Sequence, residues 1–314
     1  MKNNDLFPNI VGQDRAKKRL EFYLQGYQAN SVMPHLMFIA PKGCGKTTLA
    51  KAMGKNMVGK DDRTKPKRFL EINCSTVKSV KQFFNQIVIP HINMQDCTVL
   101  LDECSELPKD VTMMLLTVLN PNAENRTTFS YEDYTVDFDF SRQSFMFATT
   151  EAQSVFHALM DRCERVDLEE YTYNELAEIV CRVLPEYSFQ DDVLMDVSKV
   201  LRGNARQAQK MANHIKSFLM HKRRTNFTKA DWSELSDALG ILPLGLSPIE
   251  LQVLNLLNEQ SSLTRLSAKT GLTKACLQRD FELYLQKHDL MQITTAGRAI
   301  TKKGKEYLDE VSNS

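Results

Sequence analysis

Short apolar runs alternate with helical patterns from about residue 9 to residue 170. The runs His35–Ala40, Arg68–Asn73, Thr98–Asp102 and Ser144–Thr149 read as buried strands. That alternation predicts an α/β fold, a parallel sheet joined by crossover helices. The charged stretch Gly59–Lys67 reads as a solvated loop. From 171 to 240 the pattern is helical only. Thr172-x-x-Glu175 is a capping box that opens the first helix of this segment. Gly203-Asn204 then interrupts the chain before a helix over Ala205–Met220. A third unit begins at Gly245, where Ser247-Pro248-Ile249-Glu250 forms a second capping box with proline at the first helical position. Residues 246–308 read as helix, helix, helix, then strand-turn-strand. The boundaries expected are therefore 1–170, 171–243 and 244–314.

Composition fits a globular protein, with 42% hydrophobic and 25% charged residues over 314 positions. Net charge is only +1, so any nucleic-acid contact must come from local patches. Seven cysteines are scattered with no C-x-x-C pair or metal-ligand spacing, the usage of reduced thiols in a cytoplasmic protein. The first residues lack the apolar core of a signal peptide, and no apolar run reaches the roughly 20 residues needed to span a bilayer.

Candidate chemistry begins at MFIAPKGCGKTTLA, from Met37 to Ala50: a strand, a glycine-bearing loop and a helix start. It follows the phosphate-loop pattern G-x-x-x-x-G-K-[ST], except that Ala40 replaces the first glycine. A polyphosphate needs inward backbone N–H groups, a helix N-terminus and one flexible cation. Pro41, Lys42, Gly43, Cys44, Gly45 and Thr48 supply the cradle. Lys46 reaches the β- and γ-phosphates, and the Thr47 hydroxyl ligates Mg²⁺. The expected ligands are thus ATP and Mg²⁺. About fifty residues on, CTVLLDE ends an apolar strand in two carboxylates, Asp102 to hold the metal and Glu103 to activate water. Ser144–Thr150 ends in hydroxyls. If its strand neighbours that of Asp102, Thr150 can bond the lytic water or the γ-phosphate. Arg162, in LMDRC, stands where it can project into a neighbouring subunit and offset charge on the γ-phosphate, or pair at the surface with Asp161 or Glu164, with Arg165 in reserve.

These segments, in this order, resemble the AAA+ ATPase superfamily and more closely the RuvB-type motors of Holliday-junction branch migration. The resemblance implies an AAA+ parallel-sheet P-loop domain, a helical lid and a C-terminal winged-helix domain. Ile10–Gln13 (IVGQ) is similar to the segment beside the adenine, so Ile10 and Val11 are implied nucleotide contacts, with Tyr171 at the start of the lid. RGNARQAQ resembles the sensor-2 segment, which makes Arg206 the implied lid arginine on the γ-phosphate. ALGILPLGLSP resembles the linker into the last domain. The implied function is an ATP-hydrolysing, DNA-translocating ring of six subunits acting in recombination and repair. A clamp or helicase loader with the same site chemistry remains an alternative. The chain departs from the family where Cys104-Ser105-Glu106 replaces the usual Ile-His-Arg, and an Arg-Pro before IVGQ is missing. Such changes suit a divergent relative carried by a phage or mobile element.

Two further segments bear on partners. Arg126–Phe140 alternates about a Glu132-Asp133 turn, as a β-hairpin does. Family hairpins at this point dock the junction-binding protein RuvA. Here Glu132, Asp133, Asp137 and Asp139 disfavour phosphate and favour a protein partner, with Phe129, Tyr131 and Tyr134 as anchors or as cover for the ribbon's own sheet. In the last domain, Leu277, Phe281 and Tyr284 should face inward and leave Lys274 and Gln278 outward. Thr294–Arg298 forms the wing tip, from which Arg298 reaches DNA, followed by Lys302. From Ser262 to Ser314 there are nine Lys or Arg against six Asp or Glu. That modest excess suits backbone contact with duplex or four-way-junction DNA, or a winged helix reused for protein contact.

Overall fold

The computed structural model describes residues 6–59, 62–119, 126–131, 134–140, 142–258 and 261–313, with backbone alone over 126–131 and 134–139. The chain divides into two compact units. One comprises Met1–Ile179 with Gly203–Lys210, the other Val180–Arg202 with Met211–Ser314.

The first unit is built on five strands: β1 (Leu36–Ile39), β2 (Arg68–Asn73), β3 (Cys97–Asp102), β6 (Ser144–Thr149) and β7 (Glu164–Asp167). They pair in the order β2-β3-β6-β1-β7, parallel throughout. Between β3 and β6 the chain makes an antiparallel ribbon, β4 (Arg126–Tyr131) and β5 (Tyr134–Asp139). The four strands expected from apolar runs are all present. β7 was not foreseen, because in Glu-Arg-Val-Asp only Val166 is buried; an edge strand shows little of its apolar side to a sequence reader.

Side chains alternate across this sheet with period two. Val99, Leu101, Phe145 and Phe147 face a core with Phe83, Val88, Val111 and Leu115. Leu100, Met146 and Ala148 face the other core, with Leu20, Leu24, Leu49 and Met53. Helices Asp14–Asn30 and Lys46–Lys55 therefore cover one face, and Lys109–Val118 the other. Two covered faces explain why the central strands read as unbroken apolar runs rather than alternating ones.

Just before β1, His35 packs edge-on to Phe145 at 5.9 Å and keeps its Nδ1 buried without a partner. Burial lowers its pKa from 6.5 to about 4. The folded protein holds this ring neutral while the unfolded chain protonates it. Stability from His35 is therefore complete above about pH 6.5 and is lost as pH falls towards 4, by about 1–2 kcal/mol at pH 5. Urea unfolding at pH 7 and pH 5 should show that loss in the parent and a smaller one in His35→Asn; equal losses would refute the assignment.

The second unit holds the helices Val193–Lys199 and Lys229–Leu239, and a short parallel pair, β8 (Ser188–Phe189) and β9 (Asn226–Phe227). Its C-terminal part has helices Pro248–Leu256 and Leu263–Thr270, then a continuous helical run from Lys274 to Lys287 with a π-turn at Leu277–Glu282. The hairpin β10 (Met291–Thr294) and β11 (Gly297–Ile300) follows, its two-residue turn closed by Gly297 at φ 133°. Leu254, Leu266, Leu277, Leu285, Leu290 and Ile300 make the core, with Phe281 and Tyr284 partly buried against it. A final helix, Lys302–Asn313, was not expected from sequence. Gly304 lets it pack close, since a Cβ there would lie 2.1 Å from Leu290 O.

The second expected capping box forms and carries an extra load. Glu250 accepts from Ser247 N at 2.7 Å and is wholly buried. It also takes two hydrogen bonds from Arg202, at 3.0 and 2.9 Å. Arg202 in turn lies 3.5 Å over the Tyr284 ring. The basic run at residues 221–224 is solvated and paired within its unit: Lys222 meets Glu234 and Arg224 meets Asp231. No described helix is long and apolar enough to cross a membrane.

Candidate nucleotide site

The sheet order decides where chemistry gathers. β6 lies between β1 and β3, so the loop after β1, the end of β6 and the carboxylates after β3 share one edge of the sheet. Ligands bind at this carboxyl edge in open parallel sheets.

The loop after β1 runs directly into the helix Lys46–Lys55. Gly43 and Gly45 hold φ of 85° and 91°, conformations that a Cβ would strain. Ala40 keeps negative φ and is buried, so the missing first glycine costs the loop nothing in backbone strain. Gly45 also passes close to Tyr171, whose hydroxyl would sit 3.1 Å from an added Cβ. Burial raises the Tyr171 pKa, with the Gln13 side chain opposing it. Ile10 and Val11 are buried nearby in the chain's opening turn. That turn is tied down where Gln13 donates to Glu169 O at 2.8 Å and accepts from Glu169 N at 3.1 Å.

Lys46 is 7% exposed and donates to Ala40 O at 2.9 Å and Pro41 O at 3.2 Å. Burial lowers its pKa; Glu103, Cys44 and Asp102 pull it back up, and Arg206 lowers it further. Its hydrogen bonds to Ala40 O and Pro41 O go to neutral carbonyls, so a phosphate entering the site would give this buried ammonium a directly bonded anionic partner. Thr47 donates to Asp102 Oδ2 at 2.7 Å. The other oxygen, Asp102 Oδ1, accepts from Glu103 N at 3.0 Å, so the carboxylate is fixed at both ends. Glu103 itself takes left-handed backbone, φ 53°, where β3 ends.

An open cleft with a cavity volume of about 110 Å³ is lined by Lys42, Gly43, Gly45, Lys46, Thr47, Thr48, Asp102, Glu103, Ala205, Arg206 and Gln209. Most of the expected nucleotide and catalytic residues thus converge. Among the described residues no three His, Cys, Asp or Glu gather to hold a metal unaided. The Thr47–Asp102 pair nevertheless fits Mg²⁺, which takes one or two protein oxygens and completes its shell with phosphates and water.

Other expected residues stand elsewhere. Thr150 follows β6 at the same edge but does not line the cavity; Thr149 turns inward, donating to Ser105 Oγ at 3.1 Å. Arg162 lies outside the cavity of its own chain and donates to Ala158 O at 2.9 Å, with Nε buried and unpartnered. Arg165 is taken by Asp167 at 2.7 Å.

Lys274, Gln278 and Lys302 are exposed, as the winged-helix reading requires. Arg298 is a correction. It donates Nε to Glu282 Oε1 at 2.9 Å and Nη2 to Glu282 Oε2 at 3.2 Å, with side-chain exposures of 14% and 2%. A carboxylate buried in the domain requires a cation beside it, so Arg298 is turned inward and does not reach out from the wing. The hairpin forms with six rungs from Arg126↔Asp139 to Tyr131↔Tyr134, which puts Phe129, Tyr131 and Tyr134 at positions on one face of the ribbon. Its Glu132-Asp133 turn lies outside the described residues.

Sequence reasoning missed Asn204, Ser105 and Thr149. For Asn204 a signal existed: an asparagine directly before a helical run is a favoured N-cap. Thr149 was signalled only as one of the hydroxyls that end its strand, with Thr150 named instead, and Ser105 had no signal, since only sheet order brings the two together.

Comparison with known proteins bears on all of this. The profile of the ATPase family associated with various cellular activities (AAA) matches residues 36–171, and that of the RuvB C-terminal winged helix domain matches 243–309. The Holliday junction branch migration complex subunit RuvB of Ehrlichia canis is 25% identical, over 98% of this chain and 93% of its own. That of Mycoplasma pneumoniae is 22% identical, over 96% of each. Among solved structures, the Thermotoga maritima RuvB Holliday junction branch migration motor superposes with a TM-score of 0.76 at 20% identity, over 98% of this chain and 99% of that one. With both modules in one chain and relatives matched nearly end to end, the protein carries an AAA ATPase domain and a RuvB-type C-terminal winged helix, and across almost its whole length it is similar, at low identity, to RuvB subunits.

Proposed function

We propose that the protein is an ATP-driven DNA motor that moves four-way junctions, working as a ring of subunits, six in the full assembly. The observation that carries this reading is the Thr47–Asp102 hydrogen bond beside Lys46, Glu103 and Arg206, in a chain that ends in a RuvB-type winged helix.

Lys46 and the loop N–H groups bind the triphosphate, and Thr47 and Asp102 would hold Mg²⁺, which would supply charge neutralisation to the phosphates. Glu103 orients a water and accepts its proton as the oxygen bonds to the γ-phosphorus. The bond to the β–γ bridging oxygen breaks, and ADP leaves with that electron pair. Arg206 meets the γ-phosphate in cis. Arg162, outside its own cavity, suits a role in a neighbour's site, where its guanidinium would offset charge developing on the γ-phosphate. Lys274, Gln278 and Lys302 offer the exposed polar contacts for a DNA backbone. The ribbon face carrying Phe129, Tyr131 and Tyr134 suits a RuvA-like protein partner.

The test is a synthetic four-way junction incubated with the protein, ATP and Mg²⁺, with and without a RuvA-like partner. Junction-stimulated phosphate release and strand separation are expected, and both should stop when EDTA removes the metal. Hydrolysis without junction movement, accompanied by stable recruitment of a replication protein, would replace this reading with that of a loader.

A further inference from the structure

Asn204 touches both the phosphate loop and the helix that carries Arg206. Its Nδ2 donates to Lys42 O at 3.0 Å. Its Oδ1 accepts from Arg206 N at 2.9 Å and Gln207 N at 3.2 Å. The next residue, Ala205, donates N–H to Gly43 O at 3.1 Å. Two successive loop carbonyls are thus taken by two successive residues, which fixes two peptide planes. In a trans peptide N–H and C=O point opposite ways, so the N–H groups of Gly43 and Cys44 are directed away from Asn204.

The fit is close. A Cβ on Gly43 would lie 2.0 Å from Asn204 Oδ1, so Gly43 is required by its neighbour as well as by its own φ. Arg202 and Gly203, at φ 56° and 66°, are two left-handed residues in a row that deliver the asparagine to this place. An amide suits it because its donor and acceptor sit on two separate atoms, so Nδ2 can reach Lys42 O while Oδ1 caps the helix. Serine or aspartate caps a helix as well, but neither carries an N–H that reaches the loop.

From these contacts we infer that Asn204 is a positioning residue: it locks Arg206 and the phosphate loop into one geometry before nucleotide arrives. The inference rests on the nucleotide-site reading above. Arg206 is exposed and long, with many rotamers to lose, and anchoring its backbone N–H on the residue that grips Lys42 leaves only the side chain to order. Misplacement of a group by about 1 Å is enough to cost a catalytic site up to a hundredfold.

Asn204→Ser and Asn204→Asp test this, one neutral and one charged, both retaining an oxygen for the cap. ATP hydrolysis (kcat and KM), fluorescent-nucleotide affinity and Tm are measured in the full-length protein, alone and on an Arg206→Ala background. Expected are a Tm close to the parent's and a roughly tenfold fall in kcat/KM in both variants, the size of one lost hydrogen bond. On the Arg206→Ala background the further fall should be under twofold, because the two residues act as one. Parental kcat and KM in either variant, or a full further fall without Arg206, would overturn the inference. Lys46→Ala is run in parallel: if it hydrolyses ATP at the parental rate, the site itself has been misread, a result separate from the behaviour of Asn204.

Discussion

Glu103→Gln should bind ATP with near-parental affinity while its kcat falls by about 10²–10⁴, the usual range for a lost general base. The amide keeps the shape of the carboxylate and removes only its ability to take a proton. Asp102 stays anchored, because its partners are the Thr47 hydroxyl and the backbone N–H of residue 103, neither of which depends on the Glu103 side chain. Metal binding should therefore survive. Phosphate release beside fluorescent-nucleotide binding distinguishes the outcomes. An equal loss of affinity would mean that Glu103 acts mainly in holding the metal or the loop, and unchanged turnover would remove it from the reaction. Mixing Glu103→Gln with Arg162→Ala subunits extends the measurement. If each site is completed by a neighbour, activity follows the mixing ratio non-linearly.

The second large effect is expected in the winged helix. Arg298→Ala leaves the Glu282 carboxylate, 2% exposed, without its two charge-assisted hydrogen bonds. Removing one partner of a buried pair costs about 3–5 kcal/mol, because the other charge is stranded. The loss should appear as a lower midpoint in chemical unfolding. The paired replacement Arg298→Met with Glu282→Leu should recover most of it, since apolar side chains of similar volume often replace buried ion pairs without penalty. DNA affinity should follow folding: the double variant is expected to bind duplex DNA as the parent does. If the double variant is stable and DNA binding is still lost, Arg298 contacts DNA after all, and the inward pair is broken on binding.

How far the sequence foretold this protein depended on how local each signal was. Central strands were readable because burial on both faces leaves runs such as Val99–Leu101 and Phe145–Ala148 with no polar interruption. The phosphate loop and the carboxylates after β3 were readable for the same reason: each is a contiguous motif. β7 escaped because an edge strand needs only one buried residue, Val166. The final helix escaped because three lysines and a glycine open it, while its apolar contacts, Tyr307 and Leu308, come a turn later. Arg298 was misjudged because its partner lies 16 residues away on another element, and charge alone does not tell an outward arginine from one that neutralises a buried carboxylate. Arg206 was named from its segment, but the residue that fixes its backbone, Asn204, becomes visible only when the loop is seen beside it.

The ordinary backbone at Ala40 has a consequence for how such chains are recognised. Positive φ falls on Gly43 and Gly45, whereas the position usually written as the first glycine imposes no such demand here. A pattern search that insists on glycine at that place would pass over this protein, and with it any other triphosphate binder whose strand ends in a small residue. Weighting the two left-handed positions and relaxing the first would recover them.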